Sequence, residues 1–277
     1  MRSLSSFNTF SQNLKDQESL MPVLFIGHGS PMNGIEDNQF SQRWRKMAEE
    51  IPTPSAVLVV SAHWLSQGTR ITAMDFPKTI HDFGGFPQAL FDVQYPAPGD
   101  RKLAEETASL ITSTQVELDH DWGLDHGTWT IVRHMYPEAE IPVLQLSIDY
   151  TRGPKYHFEL AKELTGLRKK GVLIIGSGNM VHNLRMLAWD KINEPEYGYD
   201  WVLELNEKFK KHIVEENYDP LINYQLLGRE AGLAIPTPEH YMPLLYTLGI
   251  RGAKDEVSFF NDKAVAGSLT MTSVKIG

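Results

Sequence analysis

At 277 residues and a formal net charge of −9 at pH 7, the chain has room for one large α/β domain, and its charge, with no long run of Lys or Arg, argues against a nucleic-acid partner. Hydrophobic residues make up 42% and charged residues 22%, which suits a folded globular protein and not an extended disordered one. Cysteine is absent, so disulfides, cysteine-ligated zinc, iron-sulfur clusters and thiol nucleophiles are excluded, and any metal site must use His, Asp and Glu.

The first twenty residues scatter polar side chains where a signal peptide needs an apolar core, and Asp16 and Glu18 oppose a transit peptide. Residues 1–20 are therefore expected to be a flexible segment ahead of a single domain over 21–277. No segment has the length of apolar sequence that a membrane span requires, so the expectation is a cytoplasmic protein without a membrane partner. Val23–Gly27 reads as a short buried strand that stops at His28, between Gly27 and Gly29. Residues 38–50 carry Phe40, Trp44 and Met47 at helical spacing and end before Pro52 and Pro54. A second strand over 56–62 then delivers His63.

A short strand is expected over 70–74, followed by an irregular stretch over 79–87 whose Gly pair and aromatics suit a loop folded over a pocket. Residues 100–112 read as a helix and 115–118 as a strand. The Gly-flanked turn around His126 opens another helix through Tyr136. A strand over 141–148, a helix over 154–169 with Pro at its first turn, and a strand running from Val172 to Val181 follow, the last delivering His182. Residues 201–214 place Val202, Leu205, Phe209 and Ile213 on one helical face, and 221–227 continues helical. Prolines at 236, 238 and 243 stiffen the turn that carries His240 and launch a helix over 244–248. The tail reads as two strands, 257–260 and 268–274, forming an antiparallel edge. This alternation requires a mainly parallel central sheet flanked by helices, with ligands bound at the carboxyl ends of the strands.

Taken singly, each histidine is more often a packing or surface residue than a ligand. His28, His63 and His182 nevertheless share one position in the architecture, and His126 and His240 sit in Gly- or Pro-constrained turns near the same rim, which points to a metal. His120, His134, His157 and His212 lack that context, and His81 is open between pocket lining and plain loop. The glycines around Ser177 fall short of a dinucleotide fingerprint, and Ser30 beside His28 lacks a nucleophile elbow.

The motifs Gly27-His28-Gly29-Ser30-Pro31, Ser61-Ala62-His63-Trp64, His81-Asp82-Phe83-Gly84-Gly85-Phe86-Pro87, Asp125-His126-Gly127, Ser177-Gly178-Asn179-Met180-Val181-His182-Asn183 and Thr237-Pro238-Glu239-His240-Tyr241, in that order, resemble the DOPA-dioxygenase family of class III extradiol ring-cleaving enzymes. The resemblance implies one α/β domain that opens a catechol ring with dioxygen at one divalent metal per chain. It implies His28, His63 and His240 as metal ligands, His182 as base or as a fourth ligand in a zinc-loaded form, and His126 as a neighbour of oxygen and substrate. Fe(II) is expected for catalysis, with Zn(II) able to occupy the site. The wider class replaces the third histidine by a carboxylate, which puts Glu239 beside His240 in view. Two other functions fit the same histidines: a zinc hydrolase and a non-catalytic metal-binding module. The oligomeric state is left open.

Overall fold

The most apolar runs of the sequence become inner strands, because a strand covered on both faces has no side free for polar residues. The computed structural model describes residues 20–277, so the segment expected to be flexible, up to residue 19, lies outside the described residues. Among the described residues ten strands form: β1 (Val23–Gly27), β2 (Ala56–Ser66), β3 (Thr69–Thr72), β4 (Val116–Asp119), β5 (Val143–Asp149), β6 (Val172–Gly178), β7 (Val257–Phe260), β8 (Ala264–Val265), β9 (Leu269–Thr270) and β10 (Ser273–Ile276). Eight of them make one sheet in the order β4-β3-β5-β2-β6-β1-β10-β7. The central four, β5, β2, β6 and β1, are mutually parallel, while β10 and β7 add the antiparallel edge expected of the tail.

Alternate side chains of the inner strands feed two cores. Val23 and Phe25, Leu58 and Val60, and Ile174 pack on one face; Leu24 and Ile26, Val57 and Val59, and Leu173 and Ile175 pack on the other. Helices α1 (Gln39–Glu50), α2 (Gln88–Phe91), α3 (Arg101–Leu110), α4 (His126–Met135), α5 (Pro154–Glu163), α6 (Asp200–Val214), α7 (Asp219–Ile222), α8 (Arg229–Ala234) and α9 (Met242–Gly249) complete the chain. Trp44 and Met47 of α1 and Trp129 and Val132 of α4 cover the second face, and Phe158 of α5, Phe209 of α6 and Leu245 of α9 cover the first. Asn38 starts α1 through a capping box with Ser41, and Asp100 and Asp125 cap α3 and α4 by accepting backbone N–H bonds from Leu103 and Thr128. At the amino end of β1, buried Arg168 donates to the Met21 carbonyl and to both oxygens of Asp255, closing the end of the sheet away from the histidines. None of the described helices is long and apolar enough to cross a membrane.

Four elements differ from expectation. Strand β2 runs on to Ser66, with its register against β5 shifting between Val60 and Leu65, so His63 sits in an irregular stretch of strand and not beyond its end. The expected helix over 154–169 is α at Pro154–Glu163 and 3-10 at Leu164–Lys170, tightening where Thr165 and Gly166 weaken α propensity. The expected strand over 268–274 is divided into β9 and β10. Strand β6 stops at Gly178, three residues before Val181, because the chain of the His240 turn presses against it: Asn179 N–H donates to the His240 carbonyl at 2.8 Å.

That contact makes Gly178 obligatory, since a Cβ there would lie 2.1 Å from the His240 carbonyl oxygen. Gly178→Ala should destabilise the protein by about 1–3 kcal/mol, the usual cost of overpacking. A urea unfolding midpoint equal to the parent's would contradict this close approach.

Candidate metal centre

Each of the five rim histidines reaches the site by its own local device. Gly29 adopts φ +62°, a left-handed conformation that glycine takes without strain, and turns the chain sharply after His28. The irregular stretch of β2 aims His63, the capped start of α4 holds His126, and the Gly178 contact brings His240 to the end of β6. His182 is tied back by its N–H to the Ala234 carbonyl at 2.9 Å.

Ring centroids of His28, His63 and His240 form a nearly equilateral triangle, with sides of 5.0, 5.3 and 5.0 Å. An imidazole bound to an ion at about 2.1 Å puts its centroid about 3.2 Å away, so two ligands at about 90–110° have centroids about 4.5–5.3 Å apart. The triangle matches. His126 fits it less evenly, with centroids 5.7 Å from His28 and only 3.8 Å from His63, although one ligand atom each from His28, His63 and His126 lie within 4.8 Å of one another. His182 stacks on His240 at 3.6 Å with planes 4° apart. Imidazole lone pairs lie in the ring plane, so in this arrangement one ion can take a lone pair from His240 or from His182, but not from both.

The outer nitrogens of these rings are held by partners. Ser177 Oγ donates to the Gly127 carbonyl at 2.6 Å and therefore accepts from His28 Nδ1–H at 3.0 Å. Asp82 Oδ2 lies 2.9 Å from His126 Nδ1 and 3.3 Å from His63 Nδ1, and Glu239 Oε1 lies 3.4 Å from His240 Nδ1. The Ser177 hydroxyl and the two carboxylates favour the proton on Nδ1 of these rings and so leave Nε2 free to face the site. His28 Nε2 and His63 Nε2 then face each other at 3.2 Å. Burial, reinforced by the neighbouring imidazoles, holds both rings well below the ordinary imidazole pKa, so both are neutral at pH 7. That separation suits an N–H···N hydrogen bond, and it is also the separation of two nitrogens on one ion, about 3.0–3.4 Å for bonds of about 2.1 Å at about 90–110°. The cluster is able to hold a cation.

The carboxylates around the cluster differ in state. Burial would raise Glu239, but its bonds to His240 and Thr237 hold it down to about 2. Burial likewise opposes the His126 bond at Asp82, and the bond prevails, keeping that carboxyl below its ordinary value. Asp125 is pushed up by burial and by Asp82, against donors from Gln145 and Ser61. His182 is lowered to about 3, by burial first and His240 next.

The remaining histidines stay outside the cluster or serve packing. His81 Nε2 bonds the Val93 carbonyl at 3.0 Å and its ring packs near Phe83 and Trp129, so it pins the loop while its neighbour Asp82 faces the site. His134 bonds the Asn33 carbonyl and His157 the Tyr246 hydroxyl, both within the interior. Sequence reasoning quoted Asp82 and Ser177 within motifs without giving them roles. The signal lay in their neighbours, but their partners are 44 and 149 residues away along the chain.

The model of a family described as the catalytic LigB subunit of aromatic ring-opening dioxygenase matches residues 22–264. The chain is 47% identical over 264 residues to 4,5-DOPA dioxygenase extradiol of Escherichia coli K12, covering 93% of this chain and 95% of that protein. It is 32% identical over 268 residues to the protein of the same name from Beta vulgaris, covering 94% and 97%. Among solved structures, an uncharacterized Escherichia coli K12 protein superposes with a TM-score of 0.80 at 41% identity, covering 93% of this chain and all of that one. An enzyme of this kind opens aromatic rings, which sets aside the hydrolase and the non-catalytic module. Fold, histidine cluster and sequence agree, and the chain belongs to the family of extradiol, aromatic ring-opening dioxygenases.

Proposed function

We propose that this enzyme cleaves a catechol such as 3,4-dihydroxyphenylalanine next to its hydroxyl pair, inserting both atoms of dioxygen to give a muconate semialdehyde, and that one Fe(II) is held by His28, His63 and His240. The observation that carries this reading is the 3.2 Å approach of two neutral Nε2 atoms inside the triangle of rings. The substrate class is supported by the names of the relatives, which act on that catechol. What a redox-active ion supplies here is a path for electrons between spin-paired catechol and triplet dioxygen, which iron offers and zinc does not.

The protein's own groups do the rest. His182 stacks beside His240 and cannot share its ion in this arrangement, so it stands free to take a catechol hydroxyl proton. A fourth-ligand role for His182 in a zinc-loaded form would require its ring to turn out of the stack. His126, held by Asp82, presents its Nε2 to the same pocket, near oxygen and substrate. Phe83 lies edge-on to His126 with centroids 5.5 Å apart and supplies an apolar wall for an aromatic ring.

Anaerobic reconstitution with Fe(II), followed by mixing with catechols in air, should consume one dioxygen per ring and give a yellow product, whereas Zn(II) alone should give neither. Equal turnover with zinc, after trace iron is removed, would refute the assignment of iron. His182→Gln should retain its iron and bind catechol while ring opening falls by about a hundredfold to ten-thousandfold, as for loss of a general base. Loss of iron from that variant, under conditions where the parent keeps it, would make His182 a ligand.

A further inference from the structure

Asp82 belongs to no helix or strand, yet it makes three contacts with the metal centre. Oδ1 accepts the backbone N–H of His126 at 2.9 Å, and Oδ2 faces His126 Nδ1 at 2.9 Å and His63 Nδ1 at 3.3 Å. The side chain is only 18% exposed although it stands on an open loop, where Gly84 and Gly85 have nothing within reach of an added Cβ. The loop does not need this carboxylate for its place. Thr79 Oγ1 accepts from Tyr95 N–H at 2.9 Å, the Ile80 carbonyl accepts from Trp129 Nε1 at 2.8 Å, and His81 Nε2 bonds Val93. Anchors on the residues just before Asp82 thus leave its side chain free for another task.

We propose that Asp82 is a positioning residue that fixes the tautomer and direction of His63 and His126 together, tying the 79–87 loop to the metal centre. The inference rests on reading His28, His63 and His240 as one metal site. The carboxylate oxygen accepts from His126 Nδ1–H at 2.9 Å and stands 3.3 Å from His63 Nδ1, so its charge favours the proton on both Nδ1 atoms and turns both Nε2 lone pairs inward, one to the metal and one to the substrate pocket. Because the carboxylate also receives the first N–H of α4, it is itself held in the direction from which it meets the His126 ring. The amide of Asp82→Asn cannot reproduce this pattern. With its NH2 toward the rings it donates to both Nδ1 atoms and drives the proton to Nε2, where it blocks ligation; flipped, the NH2 opposes the N–H of His126.

The test compares parent and Asp82→Asn by zinc affinity, measured in competition with a chromophoric chelator, and by two-bond imidazole 1H–15N correlation spectra of the zinc-loaded proteins. The expected result is an unchanged near-ultraviolet circular dichroism spectrum, a fall in zinc affinity of about 10- to 100-fold, as for loss of other ligand-orienting partners, and a change of tautomer at His126. A variant that binds zinc like the parent with unchanged tautomers would overturn the role of Asp82 and leave the metal site standing. A variant that loses its native circular dichroism would make Asp82 a folding residue and likewise overturn it. A parent that takes up no zinc would overturn the metal site, and this inference with it.

Discussion

Two neutral imidazoles that bring their Nε2 atoms together inside a protein can share either a proton or a metal ion. His28 and His63 meet in this way at 3.2 Å. His28 is hydrogen-bonded from behind by Ser177, and the Asp82 carboxylate stands 3.3 Å behind His63. A cation between the nitrogens would take both lone pairs, and much of the local structure serves to maintain the arrangement. Gly29 provides the turn, the irregular stretch of β2 sets the angle of His63, and the press of the His240 turn on Gly178 closes the third side.

The same constraint divides the labour among the five histidines. A lone pair confined to its ring plane can serve one ion only if no parallel neighbour competes for the same place. On the proposed assignment, stacking of His182 on His240 would separate a ligand from a proton acceptor with no difference in residue type. His126 is distinguished in another way, by its place at the capped start of α4 and its two hydrogen bonds to Asp82. Three kinds of anchor (a hydroxyl, a loop carboxylate and an adjacent carboxylate) thus sort chemically identical rings into different tasks.

The sheet and the histidine rim were legible in the sequence because they depend on local pattern. Continuous apolar runs mark doubly covered strands, and a strand that ends in Gly and His announces a strand-end site. Boundaries were less legible where tertiary contact decides them. Strand β6 stops at Gly178 because the His240 backbone blocks it, and β2 continues past His63 because Leu65 and Ser66 still find partners in β5. The roles of Asp82 and Ser177 were hidden for the same reason, since each acts on a ring brought to it only by the finished fold. No spacing in the chain distinguishes Asp82, which orients two imidazoles, from an ordinary loop aspartate.

The proposed assignment places one ion at the Nε2 atoms of His28, His63 and His240. Diffraction from iron-loaded crystals grown without oxygen, with data collected on both sides of the iron absorption edge, tests it most directly. The account predicts one anomalous peak within bonding distance of those three Nε2 atoms, with His182 Nε2 beyond that distance and stacked on His240. A peak bonded to His126 or His182 in place of His240, or approached through Nδ1, would contradict it.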